Sequence, residues 1–208
     1  MNDNIEIIKR IKEVVFPVDY HVKPDRKPET TSDTGTLFES QEYDLISSAV
    51  LVPLVLRGSV WKLIMTKRSS KLKKHAGQIS FPGGKYDSRD KKLFNTALRE
   101  TSEEIGVNTN NINIFGSLQS HETITGFRIF PFLGIISPHD ELIKNSDEVE
   151  EIFEVPLTFV LEKKKFSRHF LNIKNPNRKY LAIPYGSHYI WGATARILYN
   201  LSEKFFYR

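Results

Sequence analysis

The sequence predicts a domain of mixed α and β structure, and three observations carry that expectation. Apolar runs rich in β-branched residues recur at Ser47–Leu56, Val60–Thr66, Ile112–Leu118 and Phe127–Ile136, each of strand length. Between the second and third lies an acidic stretch, Lys91 to Val107, whose apolar residues fall at helical spacing. A last stretch from His188 to Phe205 has the same spacing and offers Ile190, Ala193, Ile197, Leu198 and Leu201 to a core. With 208 residues the chain suits one domain with additions, divided here into an N-terminal helix and linker (1–42) and a main domain (43–208).

Composition narrows the function classes. The chain is 39% hydrophobic and 26% charged, as expected of a globular protein. It has no cysteine, which removes disulfides, thiolate nucleophiles and cysteine zinc sites. No apolar run approaches the ~20 residues of a membrane helix. Asp3, Glu6 and Glu13 near the start are foreign to a secretory leader. The final Phe205-Phe206-Tyr207-Arg208 is not a peroxisomal address. A cytoplasmic protein without a membrane partner is therefore expected. Net charge is +5, from 30 basic and 25 acidic residues. No helix-turn-helix, RNP or zinc-finger pattern accompanies it, so a polyanionic small molecule is expected and nucleic acid is not.

In chain order, Ile5, Ile8, Ile11 and Val15 form the stripe of an amphipathic helix packed on the domain and ending before Pro17. Pro17 to Glu42, rich in Pro, Ser, Thr and Asp, reads as a linker. The runs to Leu56 and from Val60 form a hairpin about Arg57-Gly58-Ser59, with Pro53 implying an edge or a bulge. A basic segment follows: Lys67, Arg68, Lys71, Lys73, Lys74 and His75. A solvated basic loop would explain it, but its place just before Gly83-Gly84 suits phosphate binding, with Arg68 and Lys73 the first candidates. The glycine pair marks a turn where backbone can approach a ligand closely.

The acidic helix carries Arg99-Glu100-Thr101-Ser102-Glu103-Glu104, then Ile105, with Gly106 at the position of a C-cap. Residues three and four apart are helical neighbours, so Glu103 and Glu104 both lie beside Glu100. Together they cover an arc of roughly 100°. Like charges so placed repel, and the remedies are protonation of one carboxyl or a hard divalent cation with oxygen ligands. A solvated acidic face is the alternative. Arg99 falls on the flank beside Glu103.

The run from Gly84 to Val107 resembles the Nudix box: Gly, five residues, Glu, seven residues, then Arg-Glu-aliphatic-any-Glu-Glu-any-Gly-aliphatic. Two positions depart from it. The early acidic residue is Asp90, with eight residues between it and Arg99, and Thr101 replaces an aliphatic residue. Upstream, Leu63 to Gly84 resembles the signature of the coenzyme A pyrophosphatase branch, as does Ile190-Trp191-Gly192-Ala193-Thr194-Ala195. Lys73 stands where that signature has Arg, a point charge in place of a bidentate fork.

The resemblance implies a mixed sheet sandwiched between helices, and hydrolysis of the diphosphate bond of coenzyme A or a derivative. It further implies Mg2+ or Mn2+ held by Glu100, Glu103 and Glu104. Catalysis would rest on Glu103, Glu104 and Arg99, and substrate binding on Arg68, Lys73, Gly83 and Gly84. Other nucleoside diphosphate substrates (NADH, ADP-ribose) and a non-catalytic nucleotide-binding domain are the alternatives. Past the helix, the turn-rich His121–Gly126 would border the substrate, with His121 expected in solvent. Among Glu148, Glu150 and Glu151 the family pattern suggests one further ligand or base. Lys165–Ile173 and Lys179–Ile183 are expected strands, and Trp191 is read as a packing residue.

Overall fold

The computed structural model describes residues 2–21, 45–172 and 175–206. Beyond His21, the expected linker to Glu42 lies outside the described residues. Helix α1 is Asn2–Val14; strands β1 (Ile46–Arg57) and β2 (Val60–Arg68) form the hairpin; β3 (Ile79–Ser80) and β4 (Gly83–Lys85) flank the Phe81-Pro82 corner. Helix α2 is Leu93–Ile105. Then come β5 (Ile112–Ser117), β6 (His121–Glu122), β7 (Phe127–Ile136), β8 (Val149–Pro156) and α3 (Leu157–Leu161). The chain continues as β9 (Ser167–Asn172), β10 (Asn175–Tyr185), β11 (His188–Trp191) and α4 (Gly192–Phe206).

The main sheet runs β3-β2-β1-β7-β5, with β4 added to β1, β6 to β7 and β8 to β2. β1 and β7 are parallel, and the other pairs are antiparallel. A strand covered on both faces reads as a near-continuous apolar run, and β1 is such a strand. Its Ala49, Leu51 and Val55 pack with Ala97 and Ile105 of α2. The alternate Val52 and Leu54 join Ile8 and Ile11 of α1, Leu157 of α3 and Leu198 and Leu201 of α4. The sheet is thus sandwiched between helices, as expected. A second sheet, β11-β10-β9, closes the α4 side with Leu181, Ile183 and Ile190.

Three local expectations are corrected. Pro53 lies in an interior strand, because β1 changes partners there: its antiparallel neighbour is β4 up to Val50 and β2 from Leu54. Leu51 N–H points to that side, donating to Pro82 O at 2.9 Å. Two residues on, Pro53 turns its missing N–H to the seam between partners, where no ladder bond is lost. The closing helix begins at Gly192, not His188, because His188–Trp191 pairs with Ala182–Tyr185. Gly192, at φ 64°, supplies the left-handed bend between strand and helix. His121 is buried, paired through β6 to Ile129 of β7, where a solvated residue was expected.

Helix α1 belongs to this assembly. Phe16 and Ser117 exchange backbone hydrogen bonds, each at 2.9 Å, tying the end of the helix to β5. A Cβ on Gly116 would collide with the Val15 side chain, so glycine lets the two segments touch. Ile11 is fully buried, whereas Ile5 is 69% exposed. Truncation of a buried Ile to Ala costs about 2–5 kcal/mol. Ile11→Ala is therefore expected to lower stability by that order in urea unfolding, and Ile5→Ala by under about 0.5 kcal/mol. Equal effects would show that α1 is not packed as described.

Candidate active site

The inner face of α2 meets the β1–β4 ladder. Gly84 of β4 pairs with Ala49 and Gly83 with Val50. A Cβ on Gly84 would overlap the Glu100 carboxylate, and one on Gly83 would collide with Ala49 O and Val50 Cα. The glycine pair thus lets backbone lie directly against the acidic face of the helix. Thr101 is buried, and its hydroxyl donates to Ala97 O at 2.6 Å, so a polar residue fills an apolar position without an unmet bond.

Glu100 and Glu104 are joined by Glu148: one carboxylate oxygen from each lies within 4.8 Å of the others. Glu148 is brought in by the helix end. Gly106 takes the left-handed conformation (φ 75°), and its N–H donates to Ser102 O. The terminal carbonyls of Glu104 and Ile105 then accept from Asn145 N–H (3.0 Å) and Ile143 N–H (2.9 Å). A Cβ on Gly106 would press on Ile143. Farther along, Glu148 N–H donates to Asn145 O, and Glu148 O accepts from Ser69 N–H beside the end of β2.

The other residues singled out in the sequence sit around this corner. Glu103 is half exposed and outside the trio; it accepts from Arg99 Nη1 at 3.0 Å. Arg99 also bonds Glu100 at 2.8 Å and grips Asp90 through Nε (3.0 Å) and Nη2 (3.1 Å). Asp90 further accepts from Thr96 Oγ1 at 2.7 Å, which gives the displaced early acid of the motif a structural use. Arg68 Nη1 is 4.0 Å from Glu104 Oε1. Lys73 is exposed in the loop between β2 and β3. Glu150 pairs with Lys67 at 2.6 Å and Glu151 with His188 at 3.2 Å, leaving Glu148 as the downstream acid of the trio. Trp191 packs at 69° to Tyr180, with centroids 5.4 Å apart, and part of its surface borders a cleft.

The electrostatics follow from burial. Loss of solvent, with Glu100 and Glu148 adding repulsion, pushes Glu104 up to about 8 against the attraction of Arg68 and a Gly83 N–H bond. Burial likewise raises Glu100, helped by Glu103 and Glu148 and opposed by Arg99. Asp90 is lowered, first by its Arg99 hydrogen bonds.

A testable consequence concerns protein stripped of divalent cations. Folded Glu104 keeps its proton to about pH 8, while the unfolded chain loses it near the ordinary 4.5. The folded state binds the extra proton, so stability is full below 4.5 and declines as pH rises through about 8. Between about pH 5.5 and pH 8 the fall is expected to be roughly 1–3 kcal/mol, and Glu104→Gln should flatten it. Urea unfolding in chelator checks this; identical pH slopes in wild type and variant would refute it.

The NUDIX domain family model matches residues 46–172. The chain is 34% identical over 155 residues to the uncharacterized Nudix hydrolase NudL of Pectobacterium atrosepticum, covering 74% of this chain and 80% of that protein. It is 36% identical over 155 residues to NudL of Citrobacter koseri, with the same coverage of 74% and 80%. Among solved structures, an Ap4A hydrolase of C. elegans aligns over 57% of this chain and 85% of its own, with 17% identity and a TM-score of 0.47. The family match spans the main sheet and α2, and the relatives extend over most of their own length: this chain belongs to the Nudix hydrolase family.

Proposed function

We propose that the chain hydrolyses the diphosphate bond of coenzyme A or a derivative, giving 3′,5′-adenosine diphosphate and 4′-phosphopantetheine, with Mg2+ or Mn2+. The observation that carries this reading is the convergence of the Leu63–Gly84 signature on the acidic trio. Arg68 from the end of β2 and Gly83-Gly84 from β4 line the corner that holds Glu100, Glu104 and Glu148. Diphosphates differ in what they carry on each side, and the stretch resembling the coenzyme A branch is the part of the chain that favours this one.

The donor set fits a hard cation. Three carboxylates share a corner in which burial raises Glu104, and oxygen ligands are what Mg2+ and Mn2+ take. Glu100, Glu104 and Glu148 would hold the ion, with half-exposed Glu103 positioned to turn in from Arg99 as further ligand or base. The ion when bound neutralises diphosphate oxygens and acidifies a bound water.

The remaining work falls to the chain. Arg68 offers a guanidinium to phosphate oxygens beside Glu104, and Lys73 adds an exposed positive charge from the neighbouring loop. Gly83 and Gly84 keep the corner shallow enough for a diphosphate to approach. Arg99, anchored by Asp90, positions Glu100 and Glu103. In the reaction a water oxygen bonds to one phosphorus as the bridging P–O bond breaks. The departing phosphate keeps the bond's electron pair, and the water proton passes to the Glu103 carboxylate.

Purified protein incubated with coenzyme A and Mg2+ should release both products, resolved by chromatography. Glu104→Gln is expected to lose at least about 100-fold in kcat. Gly84→Ala, which displaces the Glu100 carboxylate, is expected to fall by a similar order while keeping its circular dichroism. No cleavage of coenzyme A, alongside cleavage of NADH or ADP-ribose, would move the assignment to another substrate. Binding of these compounds without turnover would overturn the enzymatic reading.

A further inference from the structure

The pair β2–β8 presents chemistry on both of its faces. Successive residues of a strand point to opposite sides. Arg68 therefore faces α2 and Glu104, while Lys67 faces away. On that far side a cleft of about 560 Å3 opens between the end of β2, the Ala76–Ile79 approach to β3, and β11 with its preceding turn. Its walls include Lys67, Gln78, Glu151, His188, Tyr189 and Trp191.

Three of these carry rings: His188 faces Phe153, and Tyr189 and Trp191, on the other side of β11, face Tyr180. One face of the His188 imidazole lies flat on Phe153, with centroids 3.8 Å apart, and its Nε2 is held by Glu151 at 3.2 Å. Tyr189 is 44% exposed and fixed at its tip, where its hydroxyl lies 3.3 Å from that of Tyr180. Trp191 meets Tyr180 at 69°, and among the described residues no ring lies parallel to it. The polar wall is likewise arranged. Gln78 Oε1 is engaged by His75 Nδ1 at 2.9 Å, which leaves the amide nitrogen for a ligand. Lys67 is tethered to Glu150.

Cleft and acidic trio share a rim. Lys67 pairs across the strands with Glu151 and Arg68 with Val149, one residue after Glu148. Gln78 O accepts from Arg68 N–H at 2.9 Å, so the cleft's far wall is bonded to the residue that faces Glu104.

We propose that this cleft receives the nucleobase of the substrate, stacked on Tyr189 and Trp191 with Gln78 at the edge of the base. The diphosphate then lies across the end of β2, at Arg68 and the three carboxylates. The inference rests on the nucleoside diphosphate reading given above and adds where the base binds. A base fits this wall better than an aliphatic amide arm does. It has a π face for each ring and hydrogen-bonding atoms along its edge, and base–aromatic stacking contributes strongly to affinity.

Fluorescence tests it, because the chain holds two tryptophans, Trp61 and Trp191. In Trp61→Phe protein, adenosine 5′-monophosphate is expected to quench Trp191 emission saturably. Tyr189→Ala should weaken that nucleotide about tenfold. Phe170→Ala removes an aromatic that is 60% exposed on the same small sheet but does not line the cleft, and should leave the affinity as it is. This nucleotide has no diphosphate bond, so its binding is scored separately from cleavage. Quenching without coenzyme A cleavage keeps the cleft assignment and sinks the substrate. Cleavage of coenzyme A with no quenching and unaltered affinity in Tyr189→Ala overturns the cleft assignment. A Tyr189→Ala variant that changes only the oligomeric state, read by sedimentation, overturns it too and makes this face a contact between copies.

Discussion

Crowding of negative charge at one corner is the constraint on which the rest of the structure depends. Glu104 is almost fully buried, and Glu100 and Glu148 face it across distances at which like charges cannot all stay ionised without compensation. The surrounding architecture keeps them together. Ala97 and Ile105 anchor the helix to Ala49 and Leu51 of the central strand, so the acidic face cannot roll outward without losing the core. The paired glycines bring β4 backbone against Glu100, and the helix end bonds the segment that delivers Glu148. A chain that needed only a stable fold would put apolar groups there. Repulsion maintained by so much packing is the mark of a site built to bind.

The cations near that corner divide by role. Arg99 contacts Asp90, Glu100 and Glu103 together, and its planar fork suits that multiple grip in a way a lysine ammonium would not. Its donors are committed to three carboxylates. Arg68 stands differently: at 4.0 Å it is at the limit of an ion pair with Glu104, and its Nε is buried without a hydrogen-bond partner among the described residues. A buried donor left unmet in this way carries a cost.

The sequence made most of this legible where the signal was local. Strand runs, the acidic helix, its glycine stop and the glycine pair all follow from periodicity and from the backbone needs of glycine. What escaped depended on long-range pairing. Nothing within Asp147–Glu154 distinguishes Glu148 from Glu150 or Glu151. The choice is made by Asn145 bonding the helix end and by Lys67 and His188 claiming the other two acids. Pro53 misled because proline is confined to edges only when both sides of a strand are continuously paired, and here one side changes partner. His121 was expected in solvent because a two-residue strand has no periodicity to reveal it. The start of α4 was misplaced because four residues of strand and the first turn of a helix have the same apolar content.

Strand alternation separates the two faces of the β2–β8 pair. Arg68 and Lys67 are adjacent in sequence yet belong to opposite faces, as do the acidic trio and the ring-lined cleft. The trio depends on α2, β4 and the Glu148 segment, whereas the cleft depends on β11 and the approach to β3. Among the described residues the two sets meet along the β2–β8 ladder and at the bond from Arg68 N–H to Gln78 O, all of them backbone bonds. Tyr189 meets Tyr180 and Gln78 meets His75, away from the carboxylates, so substitutions there are expected to leave the trio as it is. A substitution at Arg68 reaches the trio directly, since its guanidinium lies 4.0 Å from Glu104.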